Sequence, residues 1–188
     1  MLEVLVPGAR SALRADAARN REAVLETAYR TFAAEGISVP IDEIARRTGV
    51  GAGTVYRHFP TKNALVAAVI DHRLEQIEVA SREMLAADPA HALVNFIRTL
   101  VLEWGATDQA LSQVIAGDST FKDASDFEPR FMELIAVLLA AAQRAGSVRA
   151  DLHDRDAKAL VVACQAVQSH MPDIADRVTK IILDGVRA

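Results

Sequence analysis

Tyr56, Arg57, His58 and Lys62 stand within seven positions of one another, and each carries an N–H or O–H group suited to a polyanion. An arginine presents two parallel donors that match the O6 and N7 atoms of guanine, while tyrosine, histidine and lysine donate to phosphate oxygens. Gly49, Gly51 and Gly53 lie just ahead of them. Inside a helix, Gly51 and Gly53 would each cost about 1 kcal/mol relative to alanine. Their bareness lets backbone approach a phosphate strand or a base edge closely; the alternative is that Gly51 caps a helix and Gly53 is a tolerated weakness.

Other chemistries find no such grouping. The histidines, at 58, 72, 91, 153 and 170, are scattered, and no His-x-x-x-His or Glu-x-x-His pair offers metal ligands. Cys164 is the sole cysteine, so no intrachain disulfide and no Cys-based zinc site can form. Its setting in "VVACQAV" fits a buried, inert thiol, and a lone cysteine fits a reducing cytoplasm. No glycine-rich phosphate loop follows a strand. An enzyme is therefore not expected, and neither is a cofactor or a metal.

The four donors belong to "IDEIARRTGVGAGTVYRHFPTKNAL", residues 41–65, whose spacing is that of a helix-turn-helix. Ile44 and Ala45 would pack the first helix, Gly49 would make the turn, and Val50 and Val55 would pin the second helix. That second helix is expected from about Ala52 to Phe59, with Val55 and Phe59 facing inward. Gly53, Tyr56 and Arg57 are then left outward with His58 beside them. Such a face suits a groove of double-stranded DNA. The charge supports this placement: residues 1–62 hold nine Lys and Arg against seven Asp and Glu, whereas residues 63–188 hold twelve against eighteen. A basic front on an acidic body fits a polyanion met at one end.

The whole chain of 188 residues, with 51% apolar and 24% charged residues, has a globular composition. No run approaches the roughly 18 uninterrupted apolar residues of a membrane helix, so no membrane partner is expected. "MLEVLVPGAR" opens without a basic segment and reads as an arm rather than a signal peptide. Three-four spacing recurs at Val24, Leu25, Ala28 and Phe32, and again at Leu93, Phe96, Ile97, Leu100, Val101 and Trp104. Breaks are expected at 35–40, Pro60, 87–91, 105–108, 116–120, 126–130, 145–151 and 170–173, giving an all-α chain of about nine helices. No Pro or Gly falls between Thr61 and Ala87, so one long helix, capped by Thr61, should join head to body. "FMELIAVLLAAAQ", residues 131–143, is apolar nearly all round, as expected in the middle of a bundle. The domain reading is an N-terminal arm at 1–18, a DNA-binding head at 19–66 and a ligand-sensing and dimerisation body at 67–188.

The pattern A-x-x-x-G-V-x-x-G-T-V-Y-R-H-F-P-T-K-x-A-L, preceded by "REAVLETAYRTFAAEG", resembles the DNA-binding head of the TetR family of bacterial transcription regulators. The resemblance covers residues 19 to about 70. It implies that Ala52, Gly53 and Thr54, in the first turn of the recognition helix, lie against bases and sugar-phosphate. It implies also that Tyr56, His58 and Lys62 hold phosphates and that Arg57, at a variable position, reads bases. Ala52 departs from the polar residue common at its position, which shifts base reading toward Arg57. The remainder is similar to the family in helix count and order, and "AGSVRADLHDRDA", residues 145–157, is similar to the connector before its last two helices.

The family implies a repressor that binds a palindromic operator as a homodimer and is released by a small effector, and the few polar groups among the cavity candidates favour a mostly apolar one. Apolar stripes at Leu160, Val161, Cys164 and Val167, and at Ile174, Val178, Ile181 and Ile182, would form a four-helix dimer interface or else close the chain's own core. Phe96, Leu100, Trp104, Phe121, Phe127, Phe131, Met132 and Leu138 would line the sensing cavity, or be plain core, with Arg98, Gln113, Gln165 and Gln168 as polar anchors. Two rivals remain: a regulator controlled by a protein partner, and a carrier or enzyme on a helical scaffold.

Overall fold

The computed structural model describes residues 7–104 and 126–188, with side chains from residue 16 onward. Among the described residues there are eight α-helices, one π-helical turn and no strand. The helices are α1 (Pro7–Glu35), α2 (Ile41–Thr48), α3 (Ala52–His58), α4 (Lys62–Ala87), α5 (Ala92–Arg98), α6 (Phe127–Arg144), α7 (Asp154–His170) and α8 (Ala175–Asp184). The π-helical turn, Thr99–Trp104, continues directly from α5. The all-α class expected from periodicity is the class observed. The breaks expected at 105–108 and 116–120 lie outside the described residues.

The chain divides into two compact units, Met1–Val69 and Ile70–Ala188. In the first, Val24, Leu25, Ala28 and Phe32 of α1 meet Ile41, Ile44 and Ala45 of α2, Val55 of α3, Phe59, and Leu65 and Val69 of α4. Helices α2 and α3 have eight and seven residues, too few to be stable alone. Burial of about 1.5–3 kcal/mol for each large apolar side chain holds them instead. Residues 7–18, read from sequence as part of an arm, are helical and extend α1. Pro60 precedes α4, and the Thr61 hydroxyl accepts the Ala64 N–H at 3.1 Å, which is the cap that starts this 26-residue helix.

In the second unit, α6 packs against α5 and α7, and α7 packs against α8 and the π turn. Phe127, Phe131, Leu134, Ile135, Leu138, Leu139, Ala141 and Ala142 of α6 are buried, yet Val137 is 48% exposed. Helix α6 is therefore covered on most sides, as its nearly all-round apolar composition implies, with an opening at Val137. The expected break at 126–130 is the start of α6. Pro129 is its third residue, where the first-turn N–H groups have no intrahelical acceptor to lose. Between α6 and α7, Gly146 takes φ +70 and the Gln143 side chain donates to the carbonyls of Arg149 and Leu152. Val148 pairs antiparallel with Arg187, tying the connector to the segment after α8.

Candidate functional site

The helix-turn-helix is built from its own sequence signals. Asp42 and Glu43 lie in the first turn of α2 and Arg46 and Arg47 in its last, matching the helix dipole at each end. The helix ends at Gly49, whose φ of +74 is left-handed and whose N–H donates to the Arg46 carbonyl at 3.3 Å. Gly51 occupies the N-cap of α3, its carbonyl accepting the N–H groups of Thr54 at 2.8 Å and Val55 at 3.2 Å. This corrects one sequence reading: Gly51 is a cap, so its interior-helix cost does not arise. Gly53 is within α3, and a Cβ built there meets no atom within 4 Å.

Val55 is the buried residue of α3, and Phe59, which follows it, is buried too. The Arg21 guanidinium of α1 lies 5.7 Å from the centre of the Phe59 ring. With Val55 and Phe59 inward, Ala52, Gly53, Tyr56, Arg57 and His58 are exposed, and Thr54 is half-buried. Lys62, the first residue of α4, is half-buried, and burial lowers its ammonium below the ordinary lysine value. The Arg57 Nε donates back to the Gly53 carbonyl at 3.2 Å. Tyr56 is 42% exposed. Desolvation raises its phenol above the ordinary value, and Asp42 adds to this by its charge and by a hydrogen bond.

Sequence reasoning missed Asp42 as the partner of Tyr56. Arg46 and Arg47, which the sequence count includes in the basic front, are both engaged by carboxylates. Arg46 forks onto Glu43 with two bonds of 2.7 Å, and Arg47 bonds Glu43 at 2.7 Å and pairs with Glu35 of α1. Of these, the pair with Glu35 fastens α2 to α1. Hydrogen bonds from Arg46 and Arg47 hold the Glu43 carboxyl at about 2. For Glu43 the available signal was its spacing to Arg46 and Arg47, since residues three and four apart on a helix are neighbours; the contact with Glu35, twelve residues away on α1, had no local signal.

In the second unit the expected sensor residues fall into several settings. Phe96, Leu100, Phe127, Phe131 and Leu138 are fully enclosed; Phe127 stacks on Phe131 at 5.6 Å and Phe96 tilts against it at 6.4 Å. Met132, Trp104 and Gln168 are half-buried, and the Arg73 guanidinium sits 4.6 Å over the Trp104 ring. Gln165 is buried, with neither side-chain nitrogen nor oxygen hydrogen-bonded. Phe121 and Gln113 lie outside the described residues. Arg98 is corrected: it is an exposed residue bonded to Asp176 at 3.0 Å, not an interior anchor.

Of the expected dimer stripe, Val161 and Cys164 are fully buried within the protomer, so they belong to its own core. Burial raises the Cys164 thiol above its ordinary value against the opposing effect of the Thr179 hydroxyl. Leu160, Val167, Ile174, Val178 and Ile182 are half-buried and Ile181 is 64% exposed. Leu160, Ile181 and Ile182 line an open groove of about 590 Å³ between α7 and α8. A smaller groove of about 190 Å³ between α4 and α6, lined by Leu85, Leu134 and the ion-paired Glu78 and Arg130, had no sequence signal. Among the described residues no three or more His, Cys, Asp or Glu gather as metal ligands, and no helix is long and apolar enough to cross a membrane.

Two family models match the chain: bacterial regulatory proteins, tetR family, over residues 24–69, and transcriptional regulator SbtR-like, C-terminal domain, over residues 88–188. A TetR transcription regulatory protein from Mycobacterium vanbaalenii is similar in structure at TM-score 0.75 and 50% identity, over 94% of this chain and 99% of that one. A TetR transcriptional regulator from Streptomyces coelicolor is similar at TM-score 0.71 and 27% identity, over 89% and 98%. An HTH-type transcriptional regulator of Staphylococcus aureus is 39% identical over 64 residues, which are 34% of this chain and 35% of that protein. The chain thus spans about a third of the length of the curated relatives it matches.

Proposed function

Since the chain belongs to the TetR family of bacterial transcriptional regulators, we propose that it is a cytoplasmic repressor that holds a palindromic operator as a homodimer and is released by a small, mostly apolar effector. Its class is the helix-turn-helix regulator that binds DNA, not an enzyme class. The observation that carries the finer reading is the exposed side of α3. There Gly53 leaves open space beside Tyr56, Arg57 and His58, on a helix fixed by the left-handed Gly49 and the buried Val55.

In this reading Ala52, Gly53 and Thr54 lie against the groove, Arg57 reads a base, and Tyr56, His58 and Lys62 hold phosphates. Tyr56 and Arg57 each exchange an internal partner, Asp42 and the Gly53 carbonyl, for DNA. Residues 19–66 act as the head and 67–188 as the sensing and dimerising body, with residues 1–18 ahead of both. Two-fold pairing through α7 and α8 suits half-sites about 34–36 Å apart, and the exposure of Ile181 beside Leu160 and Ile182 supports that face. An effector acts only through unequal affinity for the binding and releasing conformations. Helix α4, which contributes residues to both units, is the element to carry that difference. Selection of bound duplexes from a random pool tests the proposal. Recovery of a two-fold symmetric sequence is the expected result, and recovery of no sequence, or of one without two-fold symmetry, would refute the operator reading.

A further inference from the structure

We infer that Gln165 anchors a neutral ligand bearing a hydrogen-bond donor and acceptor side by side, as in a carboxamide or lactam, on an apolar body. This deepens the effector reading above and rests on it. Gln165 is 4% exposed, and neither its Nε2 nor its Oε1 has a hydrogen-bond partner. An amide offers two donors and an acceptor, and buried groups of this kind are nearly always paired in folded proteins. An apolar side chain at 165 would fill the position without that penalty, so the amide calls for a partner that comes and goes.

The setting defines the partner's chemistry. The other buried residues of α7 are Ala157, Val161 and Cys164, and none of them offers a strong polar group. Among the described residues, the buried polar side chains are Thr31, Ser81, Gln165 and Thr179, none of them ionised. A charged ligand would find no free counter-ion there, which is costly away from water, because the half-buried Arg73 at the π turn is already bonded to Gln76 at 2.8 Å and lies over the Trp104 ring. The edge of a primary amide or of a small lactam, whose ring holds the amide cis, supplies both the acceptor for Nε2 and the donor for Oε1 in two parallel bonds. Helix α7 packs against the π turn at Thr99–Trp104 and against α6, which carries the stacked Phe127 and Phe131. A π-helical turn is uncommon and recurs at functional sites, and it stands here opposite the helix that holds the unpaired amide.

The test uses full-length protein, the operator recovered by selection, and a panel of probes: primary alkanamides of four to ten carbons, benzamide and caprolactam. Each is compared with its fully N-alkylated partner, which keeps the acceptor and loses the donor. Calorimetry should show at least one N–H amide binding the wild type about tenfold or more tighter than its alkylated partner, the scale of one well-made hydrogen bond. Gln165→Met should abolish that preference while keeping operator affinity, and Gln165→Leu serves if the methionine variant does not fold. The inference is overturned if no probe shows the preference or if the preference survives both substitutions. It is overturned too if apolar probes release the operator equally from wild type and variant, a result that leaves the repressor reading standing. An amide that binds through Gln165 without releasing DNA upholds the anchor and overturns the effector-release part of the proposed function.

Discussion

Replacing Arg57 by alanine separates base reading from phosphate holding. In the free protein the guanidinium is exposed and its Nε donates to the Gly53 carbonyl at 3.2 Å. A bidentate arginine–guanine pair discriminates by about 1–3 kcal/mol. Giving up an exposed internal hydrogen bond offsets about 0.5 kcal/mol of this. The midpoint is about 1.5 kcal/mol per half-site, or about 3 kcal/mol for a two-fold dimer, roughly a hundredfold in Kd. Lys62→Ala should behave differently, weakening every duplex alike and reducing the salt slope by about one unit per half-site. Fluorescence anisotropy on the selected operator and its single-base variants, at two salt concentrations, reads both effects. Arg57→Ala should flatten the preference at one symmetric pair of positions and spare the others. Uniform weakening across all variants would move Arg57 to the phosphates, and no weakening by either change would refute the docking face itself.

Three further outcomes follow from particular residues. Gly53→Ala meets open space inside α3, so it should raise thermal stability by up to about 1 kcal/mol and lower operator affinity, whereas Gly49→Ala, at φ +74, should destabilise by about 1–2 kcal/mol; equal effects in thermal melts would refute the distinction. Ile181→Asp, at a position 64% exposed, should give folded monomers in sedimentation, while Val161→Asp, at a fully buried one, should unfold the chain; an unchanged dimer with Ile181→Asp would remove that face from the interface. The Glu43 carboxyl is lowered from 4.5 to about 2 by Arg46 and Arg47, so its stabilising effect is complete above about pH 4.5 and is lost as pH falls through about 2. Melting temperature against pH should show a shallower acid decline in Glu43→Gln, and identical acid limbs would count against the network.

The parts that sequence foretold are those where one local rule decides. Val24, Leu25, Ala28 and Phe32 are buried because three-four spacing permits a single inward stripe, and Gly49 turns because few other residues accept a left-handed backbone. The α5 segment shows the limit. Its apolar residues from Leu93 to Trp104 fit an α-helix and a π turn almost equally, and Thr99–Trp104 takes the second form. The stripe on α7 was visible, but an apolar face does not encode whether its own chain or a second copy covers it, and Val161 and Cys164 proved to be core. The charge count over residues 1–62 included Glu35 and Glu43 but could not show that they engage Arg46 and Arg47, which only the fold brings out.

If Arg57 reads a base as proposed, its bond to the Gly53 carbonyl would divide the encounter with DNA into two stages in time. While the protein slid along arbitrary sequence, phosphates would supply the attraction and the guanidinium would keep its own carbonyl, so the search would run over a smooth landscape. A guanine at the right position would offer two acceptors in place of one, and only there would the side chain unfold. Recognition would then appear in how long the protein stays rather than in how fast it arrives: Arg57→Ala should leave the association rate nearly as it is and quicken departure from the operator.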